Sequence, residues 1–329
     1  MSQIKIGIIG YGNLGRGTEA ALKQNPDMEL FGVFTRRDPQ SIAPASKDTK
    51  VYHLDDLSAF TGEIDVLILC GGSTNDLPAM TPVLARSFNV VDSFDTHAKI
   101  PEHFAAVDSA AKDGGTIAVI SAGWDPGLFS LNKAVSEAML PSGANYAFWG
   151  YGVSQGHSEA IRRVDGVLDA RQYTVPIEAA LEAVRSGAMP ELTTREKHLR
   201  LCYVAAEDGA DTERIEREIV TMPYYFDEYN TEVRFISIDE LERDHQGLPH
   251  GGNLFRTGKT GLNEENTQVI ECRLQLDSNP EFTSSILVAY ARAAYRLQQE
   301  GQSGCRTVLD IAPAHLLPMS PKEMRAKFL

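Results

Sequence analysis

The chain is poor in cysteine, carries no excess of positive charge and has no long uninterrupted hydrophobic run. Its four cysteines lie far apart, at positions 70, 202, 272 and 305, and form no C-x-x-C pair. This spacing argues against the usual zinc and thioredoxin patterns and against a disulfide framework. The formal net charge of −14 argues against a nucleic-acid-binding surface, which needs basic patches. Any anionic ligand must therefore be met by a few locally placed arginines or lysines.

Membrane and export signals are also missing from the sequence. The long stretch poorest in charge, GGTIAVISAGWDPGLFSLN, contains an aspartate, a proline and four glycines, so we do not expect it to span a bilayer. The start MSQIKIGIIGYG enters an apolar run without the basic region and small-residue cleavage site of a secretory leader. Together with the scattered cysteines, this favours a reducing, cytoplasmic compartment. We expect no membrane partner and no metal site.

What is present is enough chain and enough hydrophobic content for two globular domains: 329 residues, 43% hydrophobic and 23% charged. In the first third, apolar runs typical of strands (IKIGIIG, MELFGVFT, EIDVLILC, NVVDSF and TIAVIS) alternate with stretches of helical pattern. This alternation predicts an α/β fold with a doubly wound parallel sheet. It ends near residue 122, and longer mixed segments then predict an α+β domain. We predict a first domain over residues 1–123, a second over 124–280, and packing of the segment 281–329 back on the first.

The segment Gly10-Tyr11-Gly12-Asn13-Leu14-Gly15 follows the first predicted strand and opens a predicted helix. In this G-x-G-x-x-G arrangement, glycines permit a tight turn and a close approach of the backbone to a pyrophosphate at the helix N-terminus. A glycine-rich turn without a ligand would share the spacing, but here both flanking elements are present. The sequence therefore predicts a Rossmann-type dinucleotide site that includes all six residues.

The second predicted strand ends in Phe34-Thr35-Arg36-Arg37. An NAD-dependent enzyme places an acidic residue here, about 20 residues past the glycines, on the ribose 2′-hydroxyl. Thr35, Arg36 and Arg37 suit a 2′-phosphate instead, and we expect no carboxylate at this site to repel it. The alternative is a pair of solvated loop arginines. NADP is the predicted cofactor.

The ends of the following strands complete the predicted cofactor crevice, because ligands of doubly wound sheets lie beyond the carboxyl ends of the strands. The predicted lining is Cys70, Gly71, Gly72 and Ser73, then Ser93, Phe94 and Asp95, then Ala122, Gly123, Trp124, Asp125 and Pro126. Two of these residues, Asp95 and Asp125, form a carboxylate pair that can hold an ammonium group or perform acid–base chemistry on an amine. The alternative for Asp125 is a turn-forming role before Pro126.

Further along, Gly152-Val153-Ser154-Gln155-Gly156 fits the G-x-S-x-G pattern of serine hydrolases. Such an enzyme needs an oxyanion-hole loop before the nucleophile, and an acid and a histidine after it. The HGG-like segment of this chain, His250-Gly251-Gly252, follows Ser154 instead of preceding it. We therefore interpret GVSQG as a substrate-contacting turn and keep hydrolysis by Ser154 as the weaker alternative.

Eight segments carry a family resemblance in their order and spacing: GYGNLGR, FTRR, VDSFDTH, SAGWDPG, FWGYGVSQGHS, MPYYF, GLPHGG and DSNPEFT. Together they resemble meso-diaminopimelate dehydrogenase over essentially the whole chain. The resemblance implies NADP-dependent oxidative deamination of the D-centre of meso-2,6-diaminopimelate to L-2-amino-6-oxopimelate (tetrahydrodipicolinate after cyclisation) and ammonia. The reaction is reversible and belongs to lysine and peptidoglycan precursor biosynthesis. The resemblance also implies a homodimer whose second domain binds substrate and dimerises.

The resemblance further implies a role for each matching residue. Asp95 and Asp125 would hold the reacting amino group as the catalytic pair. The remaining substrate contacts would be Trp124 and Trp149 as walls, Gln155 and Gly156 from the GVSQG turn, Thr174, Arg200 and His250 around the distal L-centre carboxylate, and Asn279 at the same distal end. The chain departs from the family pattern at Phe94, where the family has tyrosine, and at Thr96, where it has asparagine, which leaves the charged groups in place.

Other interpretations remain open for single residues and for the whole chain. Considered singly, Arg200 fits a surface ion pair, His250 a turn and Trp149 core packing. A catalytically silent NADP-binding regulator would also fit the first domain, because a fold does not determine a function. The set of polar candidates in the second domain argues against that regulator.

Overall fold

The computed structural model describes residues 3–329 and divides them into two compact units. Unit 1 comprises residues 3–131 and 280–329, and unit 2 comprises residues 132–279. The sequence-based boundaries were placed after residues 123 and 280. Residues 1 and 2, with which the predicted first domain begins, lie outside the described residues.

The described residues form fourteen strands and twelve α-helices. The strands are β1 (Ile4–Ile9), β2 (Met28–Thr35), β3 (Val51–His53), β4 (Val66–Leu69), β5 (Asn89–Asp92), β6 (Ile117–Val119), β7 (Gly143–Trp149), β8 (Gly152–Val153), β9 (Val167–Pro176), β10 (His198–Ala206), β11 (Asn230–Phe235), β12 (His250–Thr260), β13 (Asn266–Leu276) and β14 (Gly304–Arg306). The helices are α1 (Asn13–Leu22), α2 (Leu77–Leu84), α3 (Ile100–Gly114), α4 (Leu128–Met139), α5 (Gln155–Arg162), α6 (Glu178–Arg185), α7 (Thr194–Lys197), α8 (Thr212–Val220), α9 (Ile238–Asp244), α10 (Asn279–Gln299), α11 (Pro313–Leu316) and α12 (Pro321–Phe328).

Unit 1 is built on a seven-stranded parallel sheet with the order β3-β2-β1-β4-β5-β6-β14. Six of these strands follow the order of a Rossmann sheet, whose strand order reverses between β1 and β4. Consecutive side chains of one strand point to opposite faces. Accordingly, Ile8 and Ile68 belong to one hydrophobic cluster, whereas Ile9 and Leu69 belong to another. The predicted doubly wound parallel sheet is confirmed.

The C-terminal segment is part of the core of unit 1. Leu287 and Val288 of α10 pack in the same cluster as Ile8 of β1. Arg292 is 2% exposed, and its guanidinium donates hydrogen bonds to both carboxylate oxygens of Asp27, at 2.6 and 2.7 Å. The same side chain donates to the carbonyl oxygen of Leu316, which anchors the end of the chain.

Unit 2 combines two sheets with short helices, as expected for an α+β domain. One sheet has the order β11-β10-β9-β8, and the other has the order β13-β12-β7. Only the β10–β11 pair is parallel among the described strand pairs of this unit. No helix within residues 3–329 is long and apolar enough to cross a membrane.

Candidate active site

The predicted glycine turn connects β1 to α1, and its three glycines differ in their surroundings. Gly10 has a φ of 88°, in the left-handed region that favours glycine. A Cβ at Gly15 would collide with the carbonyl oxygen of Gly10, so the close packing of turn and helix requires a glycine there. A Cβ at Gly12 would meet no atom of the described chain within 4 Å. Packing within the protein therefore does not explain Gly12, whereas a pyrophosphate approaching the backbone would.

Helix α1 begins with Asn13 and Leu14, directly after Gly12. Among the described residues, no side chain caps this helix, and its first turn carries no acidic residue. The amide groups of an uncapped helix N-terminus attract anions. The turn and the helix start therefore fit the pyrophosphate of a dinucleotide.

The residues predicted to read the ribose lie at the end of β2. The side-chain oxygen of Thr35 accepts a hydrogen bond from the amide of Arg37, at 3.1 Å. The guanidinium of Arg37 donates to the carbonyl oxygen of Tyr11, at 3.3 Å, so it is tied to the glycine turn. Both Arg36 and Arg37 are exposed. The structure therefore places the guanidinium of Arg37 beside the glycine turn, where a 2′-phosphate would require a cation.

One expectation about these arginines is wrong. We expected no carboxylate beside them, but Asp38 directly follows Arg37 in the sequence. The fold also brings Asp76, which directly precedes α2, to 2.6 Å from the guanidinium of Arg36. Asp76 also accepts a hydrogen bond from the amide of Gly72, at 2.8 Å. The hydrogen bond from Gly72 and the ion pair with Arg36 together lower the pKa of Asp76. A residue pair 40 positions apart leaves no trace in local sequence patterns.

The turns after β4 and β5 are joined to each other. The side-chain oxygen of Ser73 accepts a hydrogen bond from the amide of Asp95, at 2.8 Å. A Cβ at Gly71 would lie 2.8 Å from the Cβ of Asp76, so this turn also packs closely. Burial raises the pKa of the Cys70 thiol to about 12, and the thiol stays protonated. The side chain of Asp95 is exposed, and its backbone is held in place by the hydrogen bond to Ser73 in the turn after β4.

A buried aspartate that the sequence analysis missed organises the approach to both candidate catalytic residues. One carboxylate oxygen of Asp92 accepts hydrogen bonds from the amides of Phe94 and Ser121, at 3.1 and 3.0 Å. The other accepts from the hydroxyl of Thr81, at 2.8 Å, and lies 2.9 Å from Nε2 of His103. A single side chain therefore connects the segments that lead into Asp95 and Asp125.

The segment that carries Asp125 is a tight turn between β6 and α4. The amides of Leu128 and Phe129 donate to the carbonyl oxygens of Gly123 and Trp124, at 2.9 and 2.7 Å. Trp124 is buried and packs edge-on against Phe129. Asp125 therefore lies in a turn, as the alternative interpretation of a turn-forming aspartate before Pro126 predicted. It also follows β6 at its carboxyl end, together with Ala122 and Pro126, where the catalytic hypothesis places it.

In unit 2, Arg200 on β10 pairs in register with Thr174 on β9, and its guanidinium donates to the Thr174 hydroxyl. Arg200 is 7% exposed and lies over the ring of Tyr229, with Cζ 3.8 Å from the ring centre. Burial lowers its pKa, but an arginine side chain stays charged. Among the described residues, no carboxylate pairs with it, and its Nε has no hydrogen-bond partner. A surface ion pair is therefore excluded, and the arrangement fits an anionic ligand.

Two histidines beside Arg200 are neutral. Burial, reinforced by the charge of Arg200, lowers the pKa of His157 and of His198 to about 4. Nε2 of His198 accepts a hydrogen bond from the amide of Trp149, at 2.8 Å, and the two rings stack at 5.3 Å. The two histidines therefore add no positive charge beside Arg200, and His198 holds the end of β7 where Trp149 lies.

Ser154 is the N-cap of α5. Its hydroxyl oxygen accepts a hydrogen bond from the amide of His157 and lies 2.6 Å from Nδ1 of the same residue. A serine hydrolase needs its histidine oriented by a carboxylate. Here the histidine packs between aromatic rings, and the charge acting on it is the guanidinium of Arg200. The geometry does not support the hydrolase alternative, and Gln155 and Gly156 form the exposed start of the helix.

The remaining substrate candidates surround the start of β12. A Cβ at Gly152 would lie 2.7 Å from Cγ of His250, and Gly152 itself pairs in register with Thr174. The amide of Asn279 donates to the carbonyl oxygen of Leu248, at 3.0 Å, which places Asn279 near the same strand start. A cavity of about 430 Å³ in unit 2 includes His250 in its lining, but no other predicted substrate residue.

Comparison with known proteins identifies the family of this chain. The family model described as the diaminopimelic acid dehydrogenase C-terminal domain matches residues 123–278. A meso-diaminopimelate D-dehydrogenase of Ureibacillus thermosphaericus is 59% identical over 329 residues, covering 100% of both chains. This chain belongs to the meso-diaminopimelate D-dehydrogenase family. The predicted resemblance is confirmed.

Solved structures of the family share the whole fold. The diaminopimelate dehydrogenase of Corynebacterium glutamicum in complex with DAP superposes with a TM-score of 0.91, at 43% identity and 100% coverage of both chains. An engineered D-amino acid dehydrogenase bound to NADP⁺ superposes with a TM-score of 0.85, at 42% identity and the same coverage. Within residues 3–329, no three histidine, cysteine, aspartate or glutamate side chains lie together so that they could hold a metal ion.

Proposed function

We propose that this chain is an NADP-dependent dehydrogenase that oxidatively deaminates the D-centre of meso-2,6-diaminopimelate. The products are L-2-amino-6-oxopimelate, which cyclises to tetrahydrodipicolinate, and ammonia. The reverse reaction makes a precursor of lysine and peptidoglycan. The single observation that carries the proposal is the buried guanidinium of Arg200, which has no carboxylate partner among the described residues. The distal carboxylate of a diacid would complete its hydrogen bonds.

Substrate recognition follows from the residues of unit 2. Arg200 and Thr174 would grip the distal L-centre carboxylate, with His250 and Asn279 beside them. Because His157 and His198 are neutral, they add no positive charge beside Arg200. Trp149 and Trp124 would form walls, while Gln155 and Gly156 would contact the substrate from α5. This set selects a diacid over a simple D-amino acid, because only the diacid has a second carboxylate for Arg200.

Catalysis requires a neutral amine, because the nitrogen lone pair must form the C=N bond as hydride leaves Cα. Asp95 and Asp125 would orient the ammonium group and accept its proton, directly or through water. Positioning Cα for transfer is the larger contribution of the protein. When bound, NADP⁺ supplies the hydride acceptor. Gly12 and the start of α1 would hold its pyrophosphate, and Arg36 and Arg37 its 2′-phosphate.

We further propose a homodimer in the cytoplasm. Support for the dimer comes from the family resemblance, and support for the compartment comes from the scattered cysteines. Sedimentation equilibrium would test the first, with twice the chain mass of 36.0 kDa as the expected result. Cell fractionation would test the second.

The decisive assay mixes the purified chain with meso-diaminopimelate and NADP⁺ at alkaline pH and follows the absorbance of reduced nicotinamide. Parallel reactions contain NAD⁺ in place of NADP⁺, or the LL isomer in place of the meso form. We expect turnover only with NADP⁺ and the meso form. If NADP⁺ binds and no reaction proceeds, the chain is either a relative with another substrate or a silent NADP-binding regulator.

Three variants assign the roles. We expect Asp95→Ala to lose roughly 10²–10⁴-fold in kcat, because the ammonium group loses its proton acceptor.

We expect Arg200→Ala to raise KM roughly 10–100-fold, because a charge-assisted hydrogen bond to the distal carboxylate is lost. Ser154→Ala is the control: it removes the helix cap and the hydroxyl contact with His157 but no predicted substrate contact, so turnover stays near normal. Full activity of Asp95→Ala together with an inactive Ser154→Ala would overturn the proposal.

A further inference from the structure

A buried carboxylate connects the glycine turn to the chain segment that follows the two arginines. Glu19 lies on α1 and is 2% exposed. It accepts a hydrogen bond from the hydroxyl of Tyr11. It also accepts from the amides of Ala45 and Ser46, at 3.1 and 3.0 Å, and from the hydroxyl of Thr49, at 2.7 Å. Four donors from two separate segments thus converge on one side chain.

Tyr11 extends this network to the predicted 2′-phosphate site. It is the second residue of the glycine turn and is 3% exposed. Its hydroxyl donates to Glu19 and accepts a hydrogen bond from the amide of Ala45, at 2.9 Å. Its carbonyl oxygen accepts the hydrogen bond from the guanidinium of Arg37. Glu19 is therefore joined to Arg37 through a single intervening residue.

The carboxylate of Glu19 is ionised in this site. Burial by itself raises the pKa of a carboxyl group, but the hydrogen bonds from Tyr11, Thr49, Ala45 and Ser46 outweigh it, and the pKa of Glu19 is lowered. Because its charge is satisfied by four donors, the group does not present an unpaired negative charge to a nearby phosphate. Burial and the hydrogen bond to Glu19 also raise the pKa of Tyr11, so its hydroxyl keeps the proton that it donates.

The segment held by Glu19 has little regular structure of its own. It runs from the short 3₁₀ turn Pro39–Ser41 to β3 and has no helix or strand between them. The amides of Ala45 and Ser46 both donate to Glu19, so the carboxylate fixes the backbone that follows Arg36 and Arg37.

We propose that Glu19 is a positioning residue for cofactor selection. It holds Tyr11 and residues 45–49 so that Arg37 faces the ribose 2′-phosphate. The inference rests on the proposed use of NADP. It has a specific consequence: losing Glu19 weakens the binding of NADP⁺, which carries the 2′-phosphate, more than the binding of NAD⁺, which lacks it.

The test is the replacement Glu19→Gln, with the dissociation constants of NADP⁺ and NAD⁺ measured by calorimetry in the absence of substrate. Glutamine keeps the shape of the side chain but turns one acceptor into a donor, which then faces an N–H or O–H donor of the network. We expect the Kd of NADP⁺ to rise roughly tenfold, while the Kd of NAD⁺ changes less than about twofold. An unchanged ratio of the two constants, or a tighter complex with NADP⁺, would overturn the inference.

The matched control is Asp27→Asn, the same chemical change at another hydrogen-bonded carboxylate of unit 1. Asp27 directly precedes β2, at the end opposite Thr35, and accepts from Arg292. We expect a lower melting temperature and an unchanged ratio of the two dissociation constants. If the control shifted that ratio as much as Glu19→Gln does, general destabilisation would explain the effect and Glu19 would have no special role.

A milder variant, Thr49→Val, keeps the test decisive if Glu19→Gln does not fold. It removes one of the four donors from a partly exposed position. We expect a smaller shift in the same direction, about threefold for NADP⁺, and faster hydrogen exchange of the amides of Ala45 and Ser46. Faster exchange without any change in the NADP⁺ to NAD⁺ ratio would contradict the inference. A wild-type chain without a preference for NADP⁺ would contradict the proposed cofactor instead.

Discussion

At the residue scale, Gly12 and Gly15 separate ligand binding from folding within a single turn. Gly12 has extended backbone angles that any residue adopts, and open space outside it. We expect Gly12→Ala to leave the melting temperature nearly unchanged and to weaken NADP⁺ binding at least about tenfold, because the methyl group fills the space of the pyrophosphate. Gly15→Ala places its methyl group on the carbonyl oxygen of Gly10 and should cost about 3 kcal/mol of stability. Thermal unfolding and calorimetry of both variants check this, and equal losses of stability would contradict it.

The two neutral histidines give the stability of the protein a pH dependence. The pKa of His157 and of His198 is lowered to about 4 by burial and by Arg200, whereas an unfolded histidine titrates near 6.5. Between these values the unfolded chain binds more protons than the folded one. Stability is therefore fully present above pH 6.5 and falls as the pH decreases towards 4, by at most about 3 kcal/mol for each histidine.

Urea unfolding of the wild type and of His198→Gln at several pH values between 7 and 4 measures this effect. Glutamine still accepts the hydrogen bond from the amide of Trp149 but does not titrate. We expect the variant to lose less stability over this range than the wild type. If both proteins lost the same free energy of unfolding between pH 7 and pH 4, His198 would not be the neutral hydrogen-bond acceptor that the structure indicates.

Single residues also mark the limit of what the sequence could predict about the site. Gly12, Arg37 and Asp95 could be proposed as site residues from the sequence, because each belongs to a short motif at a strand end. Asp76, Asp92 and Glu19 were not, because each acts through hydrogen bonds to residues distant along the chain. Their residue types are common, and their role depends on the folded sheet.

At the element scale, Asp92 joins the ends of β5 and β6 to α2 and α3. We expect Asp92→Asn to cost about 2 kcal/mol of stability, because the amide places a donor against the N–H and O–H donors that now point to the carboxylate. We also expect lower kcat, because both segments that lead to Asp95 and Asp125 lose a shared anchor. Thr81→Val, which removes one donor and leaves the backbone contacts, is the control. Unchanged kcat in Asp92→Asn would show that these segments hold their places without it.

The apolar runs around the strands of unit 1 explain which of these strands the sequence could predict. β1, β2, β4, β5 and β6 lie in apolar runs that stand out in the sequence, and all five were predicted. β6 has only three residues, but it lies within the apolar run TIAVIS. β3 (VYH) and β14 (GCR) are equally short and lie in no apolar run, so no hydrophobic pattern marks them. β14 also completes the sheet from the far end of the chain, beside β6. Only the folded sheet shows that this short segment is a strand.

At the scale of the whole molecule, unit 1 is made from two separate parts of the chain. We expect a chain that ends at residue 279 to bind no NADP⁺ and to show an incomplete unit 1 by circular dichroism. It lacks β14, nearly all of α10 with its share of the core, and the ion pair of Arg292 with Asp27. Adding residues 280–329 as a separate peptide tests whether the missing part alone is responsible. NADP⁺ binding by the truncated chain without that peptide would contradict the expectation.

This division of unit 1 also sets the order of events on the ribosome. Residues 3–131 emerge first, with a sheet that still lacks its last strand and the helix that covers one face. All of unit 2 must then be translated before that helix leaves the exit tunnel, a delay on the order of ten seconds at ordinary rates of synthesis. During this interval, unit 2 can fold while unit 1 exposes apolar surface. A chaperone that binds exposed apolar segments would therefore find its binding sites on the nascent chain within residues 3–131.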